Sequence, residues 1–168
     1  MKHILMYAPT APSSGITQYI LNMLERMDQQ TFAFDIASFQ NPRLQQWATR
    51  HGGQYIELNI SPYKHPVAYK RHLQSLFSRG YDVVHFHCTS IADLRPFRYA
   101  KKAGTPQVIV HSHNTRSDLS SFWRRKVFGT AHTLLRHRVV DYADTLCACS
   151  YEAAQWMFGI KNAPKAIL

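Results

Sequence analysis

Hydrophobic positions along this chain alternate between two patterns, short apolar runs and longer stretches spaced by three and four. Ile4–Ala8 is a short apolar run and predicts a strand, followed by a Pro/Ser/Gly turn. Ile16, Tyr19, Ile20, Met23, Leu24 and Met27 recur at helical spacing and predict an amphipathic helix over Ile16–Met27. Phe32–Phe39 alternates as a strand does. Pro42–His51 reads as a helix with proline at its start and Gly52–Gly53 as its stop. Tyr55–Leu58 predicts a short strand, Val67–Ser78 a helix, Asp82–Phe86 a buried strand and Ile91–Lys102 its following helix. Gln107–Val110 is the next strand. Leu119–Val140 is a long basic helical region that Gly129 could break. Thr145–Ala148 predicts a strand, Ser150–Phe158 a helix, and the residues after Gly159 the start of another strand. Strand–helix alternation with β-branched strands predicts an α/β fold: a Rossmann-like, doubly wound, mostly parallel sheet with helices on both faces.

Composition narrows the function classes. The 168 residues suit a single domain over 1–168, and 45% hydrophobic against 18% charged residues excludes intrinsic disorder. The unusual quantity is charge: 20 Lys/Arg against 10 Asp/Glu give +10, with ten further histidines. Such a field favours nucleic acid, anionic lipid or diphosphate-bearing substrates. The charge-free opening His3–Leu24 is interrupted by Pro9 and Pro12, so it does not read as a membrane span. The apolar run Ile4–Ala8 is also shorter than the roughly 7–15 residues of a secretory signal core. Cys88, Cys147 and Cys149 make no disulfide framework, and Cys147 and Cys149, two apart on an apolar run, read as buried core thiols, which points to a cytoplasmic setting.

In parallel α/β sheets ligands bind beyond the carboxyl ends of the strands, and three such ends here are polar. "APTAPSSGIT" (8–17) has one glycine and matches neither the dinucleotide fingerprint nor the Walker loop. Ser13, Ser14 and Gly15 could still present hydroxyls and backbone N–H groups at a helix N-terminus, a ready anion site. "HFHCTS" (85–90) and "HSHNTRSD" (111–118) place His85/His87 and His111/His113 in like positions at consecutive strand ends. If the strands are neighbours, His87, His113, Asn114 and Thr115 converge on one crevice. Four imidazoles with Cys88 could hold zinc, but neither motif carries a carboxylate, and hydrogen bonding to a polar ligand is the favoured reading. A Cys88–His87 nucleophilic pair is disfavoured because adjacent strand residues point to opposite faces. Residues 116–138 hold Arg116, Arg124, Arg125, Lys126, Arg136 and Arg138 against Asp118, with Phe122, Trp123 and Phe128 interleaved. Trp123, Arg124, Arg125 and Lys126 are the expected membrane or polyanion face.

"DVVHFHCT" (82–89), "VIVHSHNT" (108–115) and "ADTLCACSYEAAQWMFG" (143–159), taken in order, resemble the N-terminal half of bacterial glycosyltransferase family 4 enzymes of the exopolysaccharide and capsule branch. The resemblance covers essentially the whole chain. It implies the acceptor-binding half of a GT-B fold, with a nucleotide-sugar-binding domain expected after Leu168. It also implies transfer that retains anomeric configuration from a nucleotide-sugar, UDP-sugar being the expected donor, to a lipid-linked saccharide. No cofactor and no metal are expected. By position, Gly15 would lie against the donor diphosphate with Ser14 beside it, and His113 would reach the transferred sugar. Ser13, His87, Asn114 and Thr115 would line the acceptor side, and Ser150 would sit near the interdomain crevice. The family's paired glycine is Ser14–Gly15 here. No residue stands out as a general base, so the expected role of His113 is to orient the sugar. The expected location is the cytoplasmic face of the cell membrane, peripherally bound, and the 168 residues alone are expected to be inactive. Two alternatives remain open: a non-enzymatic polyanion-binding α/β module, and a zinc hydrolase using the two His pairs.

Overall fold

The computed structural model describes residues 1–116 and 122–168, with side chains omitted at 122–125. Among the described residues six parallel strands form one sheet in the order β3-β2-β1-β4-β5-β6. They are β1 (Lys2–Tyr7), β2 (Phe32–Ser38), β3 (Tyr55–Glu57), β4 (Val83–Cys88), β5 (Gln107–Ser112) and β6 (Thr145–Ala148). The helices are α1 (Gly15–Leu24), α2 (Pro42–Arg50), α3 (Pro66–Phe77), α4 (Arg95–Lys102), α5 (Phe122–Leu135) and α6 (Tyr151–Phe158). This is the doubly wound order, and the sequence direction reverses between β1 and β4, where such sheets open a crevice.

Two core clusters divide the sheet. On one face Leu5, Tyr7, Val84, Phe86, Val108, Val110, Leu146 and Ala148 pack with Leu73 and Phe77 of α3, Phe97 of α4, and Met157 and Phe158 of α6. On the other, Ile4, Met6, Phe34 and Ile36 pack with Ile20 and Leu24 of α1 and with Leu44, Trp47 and Ala48 of α2. The second cluster covers β1 and β2. Over β4, β5 and β6 the same face carries His85, His87, His111, His113, Cys147 and Cys149 instead.

Local chemistry fixes the element ends. Ser14 caps α1 by accepting from the Thr17 N–H at 3.1 Å, and Asn41 caps α2 by accepting from Leu44 N–H at 3.3 Å. Prolines occupy the first turns of α2, α3 and α4, where the missing N–H costs nothing. Gly159 ends α6 at φ 76°, and a Cβ there would lie 2.5 Å from the His137 ring, so both backbone and packing call for glycine.

Several sequence expectations shift. β4 and β5 run two residues further than predicted, to Cys88 and Ser112, so His87 and His111 are register partners inside the sheet rather than at its rim. α4 begins at Arg95, not Ile91. The intervening residues are held as a loop, with Ile91 N–H donating to His132 Nδ1 at 3.0 Å and Asp93 Oδ1 accepting from Arg95 N–H at 2.9 Å. α5 passes through Gly129 unbroken and ends at Leu135, ahead of a 3₁₀ turn at Val139–Tyr142. The strand expected after Gly159 reduces to a 3₁₀ turn, Ala163–Lys165, and one parallel bridge between Ile167 and Cys147. Among the described residues no helix is long and apolar enough to cross a membrane.

Candidate functional site

The loop between β1 and α1 is fixed by its own hydroxyls. Thr17 Oγ1 donates to Ala11 O at 2.7 Å and accepts from Asn41 Nδ2 at 2.9 Å, and Ser14 Oγ also bonds Thr10 Oγ1. Arg43 adds a bond to Pro12 O at 3.2 Å. These contacts hold the N-terminus of α1 over the carboxyl end of the sheet. A Cβ on Gly15 would meet nothing within 4 Å, so the chain's own packing leaves this position open.

Facing it, β5 delivers His113 and the loop after β6 delivers Cys149. His113 Nε2 lies 2.9 Å from His87 Nδ1, and His113 Nδ1 lies 3.3 Å from Cys149 Sγ. Cys149 Sγ is also 3.7 Å from His111 Nε2. The imidazoles stack: His85 on His87 at 4.1 Å between ring centroids, and His111 on His113 at 4.2 Å. Tyr19 of α1 closes the group, its ring 5.0 Å from His113 and 5.2 Å from His111.

Burial makes these histidines neutral. Desolvation lowers His85 and His113 to about 3, with neighbouring imidazoles adding to the effect, and lowers His111 to about 4. His87 falls well below its ordinary value for the same first reason. At neutral pH each ring therefore offers one N–H and one lone pair, which suits hydrogen bonding better than proton transfer. Desolvation also raises the Cys149 thiol, so Cys149 and His113 do not form a thiolate–imidazolium pair.

Two cavities meet the cluster. One of about 450 Å³ is lined by Ser14, Gly15, Tyr19, His113, Asn114 and Cys149, among others. The other, about 280 Å³, is largely aromatic; Tyr7, Tyr63, Phe86, His87, Asp93 and Phe97 contribute to its wall. Asp93 Oδ2 has no hydrogen-bond partner among the described residues, while its Oδ1 pairs with Arg95 Nε at 2.8 Å.

The sequence-predicted residues therefore separate. Ser14, Gly15, His113 and Asn114 share the larger cavity, and His87 supports His113 from beneath, only 2% exposed. Ser13 and Thr115 are exposed outside that lining, and Ser150 spends its hydroxyl capping α6, accepting from Ala153 N–H at 3.2 Å. The side chains of Trp123, Arg124 and Arg125 lie outside the described residues; Lys126 is exposed on α5. Arg136 donates to Gln155 O and Trp156 O near the end of α6, so it serves packing between helices. Cys149 is exposed and Cys147 half-buried, which corrects the expectation of core thiols for both; Cys88 is buried, its thiol pushed up to about 12 by desolvation. Tyr19 and Cys149 escaped the sequence reading as site residues. Tyr19 had been counted in the apolar stripe of α1, and its place four residues beyond Gly15 was the available signal.

Residues 14–166 match the glycosyl transferase 4-like domain family. The chain is 22% identical over 165 residues to the "Putative glycosyltransferase EpsF" of Bacillus subtilis (strain 168), covering 96% of this chain and 42% of that protein. Among solved structures it resembles Acinetobacter baumannii MurG (TM-score 0.58, 13% identity, 89% of this chain and 42% of that one). It also resembles the UDP-GlcNAc 2-epimerase of Methanocaldococcus jannaschii (TM-score 0.58, 16% identity, 100% of this chain and 45% of that one). The chain thus spans less than half the length of each of these relatives. At 13% and 16% identity the structural likeness speaks to fold, and the sequence match speaks to family. On that match the chain belongs to the glycosyl transferase 4-like domain family.

Proposed function

We propose that this domain binds the acceptor in a retaining, metal-independent transfer of sugar from a nucleotide-sugar, UDP-sugar being the expected donor, to a lipid-linked saccharide. The products would serve exopolysaccharide, capsule or lipopolysaccharide assembly at the cytoplasmic membrane face, with a further domain holding most of the donor. The observation that carries the reading is the shared cavity of about 450 Å³, where the N-terminus of α1 at Ser14–Gly15 faces neutral His113 and Asn114. The helix terminus supplies N–H groups and positive dipole for a diphosphate. His113 lies where the transferred sugar meets the acceptor saccharide and hydrogen-bonds a saccharide hydroxyl there by exchanging its exposed contact to Cys149 for the ligand, while His87 keeps the ring in place. The aromatic cavity offers ring faces and the Asp93 carboxylate for an acceptor sugar. In the transfer, the acceptor oxygen bonds to the anomeric carbon, the bond to the diphosphate breaks with its electron pair, and the hydroxyl proton leaves with the diphosphate or to solvent. The domain's own contribution is positioning and electrostatic stabilisation.

The test is titration of these 168 residues with a polyprenyl-diphosphate-linked saccharide in mixed micelles, alongside an assay for nucleoside diphosphate release from UDP-sugars. Saturable binding without turnover is expected. Absence of saccharide-dependent binding would remove the acceptor role, and turnover by this chain alone would remove the need for a second domain. Binding to nucleic acid with no response to saccharide or anionic lipid would favour a polyanion-binding module instead.

A further inference from the structure

The contacts that hold His113 also outline a cation site. One ligand atom each from His111, His113 and Cys149 lies within 4.8 Å of the other two. Sγ of Cys149 is 3.3 Å from His113 Nδ1 and 3.7 Å from His111 Nε2. Zinc holds sulfur at about 2.3 Å and imidazole nitrogen at about 2.0–2.1 Å, so one S···N edge of its tetrahedron measures about 3.6 Å. The two observed separations bracket that edge.

Histidines two apart on a strand do not by themselves close a tetrahedron, which speaks against a site built from the His pairs alone. The register answers that objection. β5 pairs with β6 so that His111 lies beside Cys147, and the chain continues one step to bring Cys149 against His113. A third ligand thus comes from a segment 36 residues away in sequence.

The donor set also selects a class of ion. Two imidazoles and one thiol, with no carboxylate among the residues grouped here, suit zinc and its borderline-soft neighbours rather than magnesium or calcium. When Nδ1 of His113 binds the ion, its Nε2–H donates to His87 Nδ1 at 2.9 Å, the outer-shell support metal-bound histidines ordinarily have. Half-buried His85 with the buried His87 and His111 forms a second group of nearby ring nitrogens, but that group holds no thiol; the His85 and His111 rings lie 9° apart and those of His111 and His113 24° apart, so either pair turns to converge on one ion.

We propose that His111, His113 and Cys149 bind one zinc-class divalent cation, with its fourth position open to the cavity beneath Ser14 and Gly15. The cysteine binds as thiolate and releases its proton to solvent, so affinity rises with pH. The site stands on its own geometry. Its consequence rests on the transferase reading: the ion takes the His113 nitrogen that the sugar uses, so zinc and acceptor exclude one another.

The probe is Co²⁺, titrated into the reduced chain at neutral pH and read by absorption. Expected are the intense d–d bands of tetrahedral cobalt and a thiolate-to-cobalt charge-transfer band, saturating at one ion per chain. Cys149→Ser abolishes the charge-transfer band, His111→Gln and His113→Gln each weaken binding at least about tenfold, and Cys147→Ser and His85→Gln change neither. Far-UV circular dichroism verifies that each variant folds. A second readout needs no variant: Zn²⁺ slows alkylation of Cys149 by iodoacetamide at least about tenfold, and Mg²⁺ does not. Absence of tetrahedral bands, a charge-transfer band that survives Cys149→Ser, or loss of binding in His85→Gln with retention in Cys149→Ser would each overturn the site. Co²⁺ binding as predicted, with saccharide affinity unchanged by saturating Zn²⁺, would leave the site standing and remove the sugar role of His113.

Discussion

Along β4, Val84, Phe86 and Cys88 face the larger core, whereas His85 and His87, one residue out of step, face the opposite side. β5 repeats the division with Val108 and Val110 on one face and His111, followed by His113, on the other. The same backbone ladder therefore supports two chemistries. On the apolar face the side chains hold the fold by excluding water. On the other, neutral imidazoles are stacked and linked, and they leave Nε2 of His85 and His87 and Nδ1 of His111 without hydrogen-bond partners among the described residues. Unpartnered buried nitrogens cost stability, so the histidine face is poorly explained as packing and better explained as a site.

Truncation separates the faces most sharply. Phe86 is fully buried, with ring centroids 4.5 Å from Phe97 and 5.0 Å from Tyr7. Phe86→Ala should cost about 3–5 kcal/mol in urea unfolding. His85→Gln, two strand positions from the central contacts of the site, should cost far less; equal losses would erase the distinction between faces.

Acid tests the histidine face next. Below about pH 6.5 the unfolded chain takes up protons that the buried imidazoles refuse, since His111 waits until about 4 and His113 until about 3. Stability is complete above the ordinary histidine value and is lost as pH falls from there toward these lowered values, by about 1.4 kcal/mol per pH unit for each fully excluded proton. Thermal midpoints measured from pH 7.5 to pH 4.5 should fall steeply, and His87→Gln should flatten the curve. A flat wild-type profile would mean that the rings protonate freely.

The smallest expected effect belongs to the helix start. Ser14→Ala removes the α1 cap and should cost about 1 kcal/mol, measured by the same urea titration. No change would mean that the Thr10 and Thr17 hydroxyls hold the loop without it.

How much of this was legible beforehand follows from the range of each interaction. The strands and helices could be read because apolar period and cap residues are local, whereas the strand order depends on pairing between distant segments and is seen only in the structure. Strand ends were missed where polarity misled. His87 and His111 look like rim residues, yet the ladder continues through them to Cys88 and Ser112, because the face they occupy turns polar only toward the carboxyl ends of β4 and β5. Ser14, Gly15, His113 and Asn114 line one cavity, as their loop positions after parallel strands lead one to expect. The contact of Cys149 with His113 depends on the β5–β6 register, which no neighbouring residue announces. His132 was invisible for the same reason: it joins Ile91 N–H to Trp156 O, 3.0 Å from each, across three segments distant in sequence. Arg136, counted with the basic stretch, turned out to serve the carbonyls of α6.

Isothermal titration of a lipid-linked saccharide into wild type and His113→Ala decides whether His113 hydrogen-bonds the saccharide from the floor of this cavity. One neutral hydrogen bond is worth about 1 kcal/mol, so binding in the variant should be roughly fivefold weaker with its unfolding midpoint in urea little changed. Identical affinity in the two proteins, both folded, would contradict it.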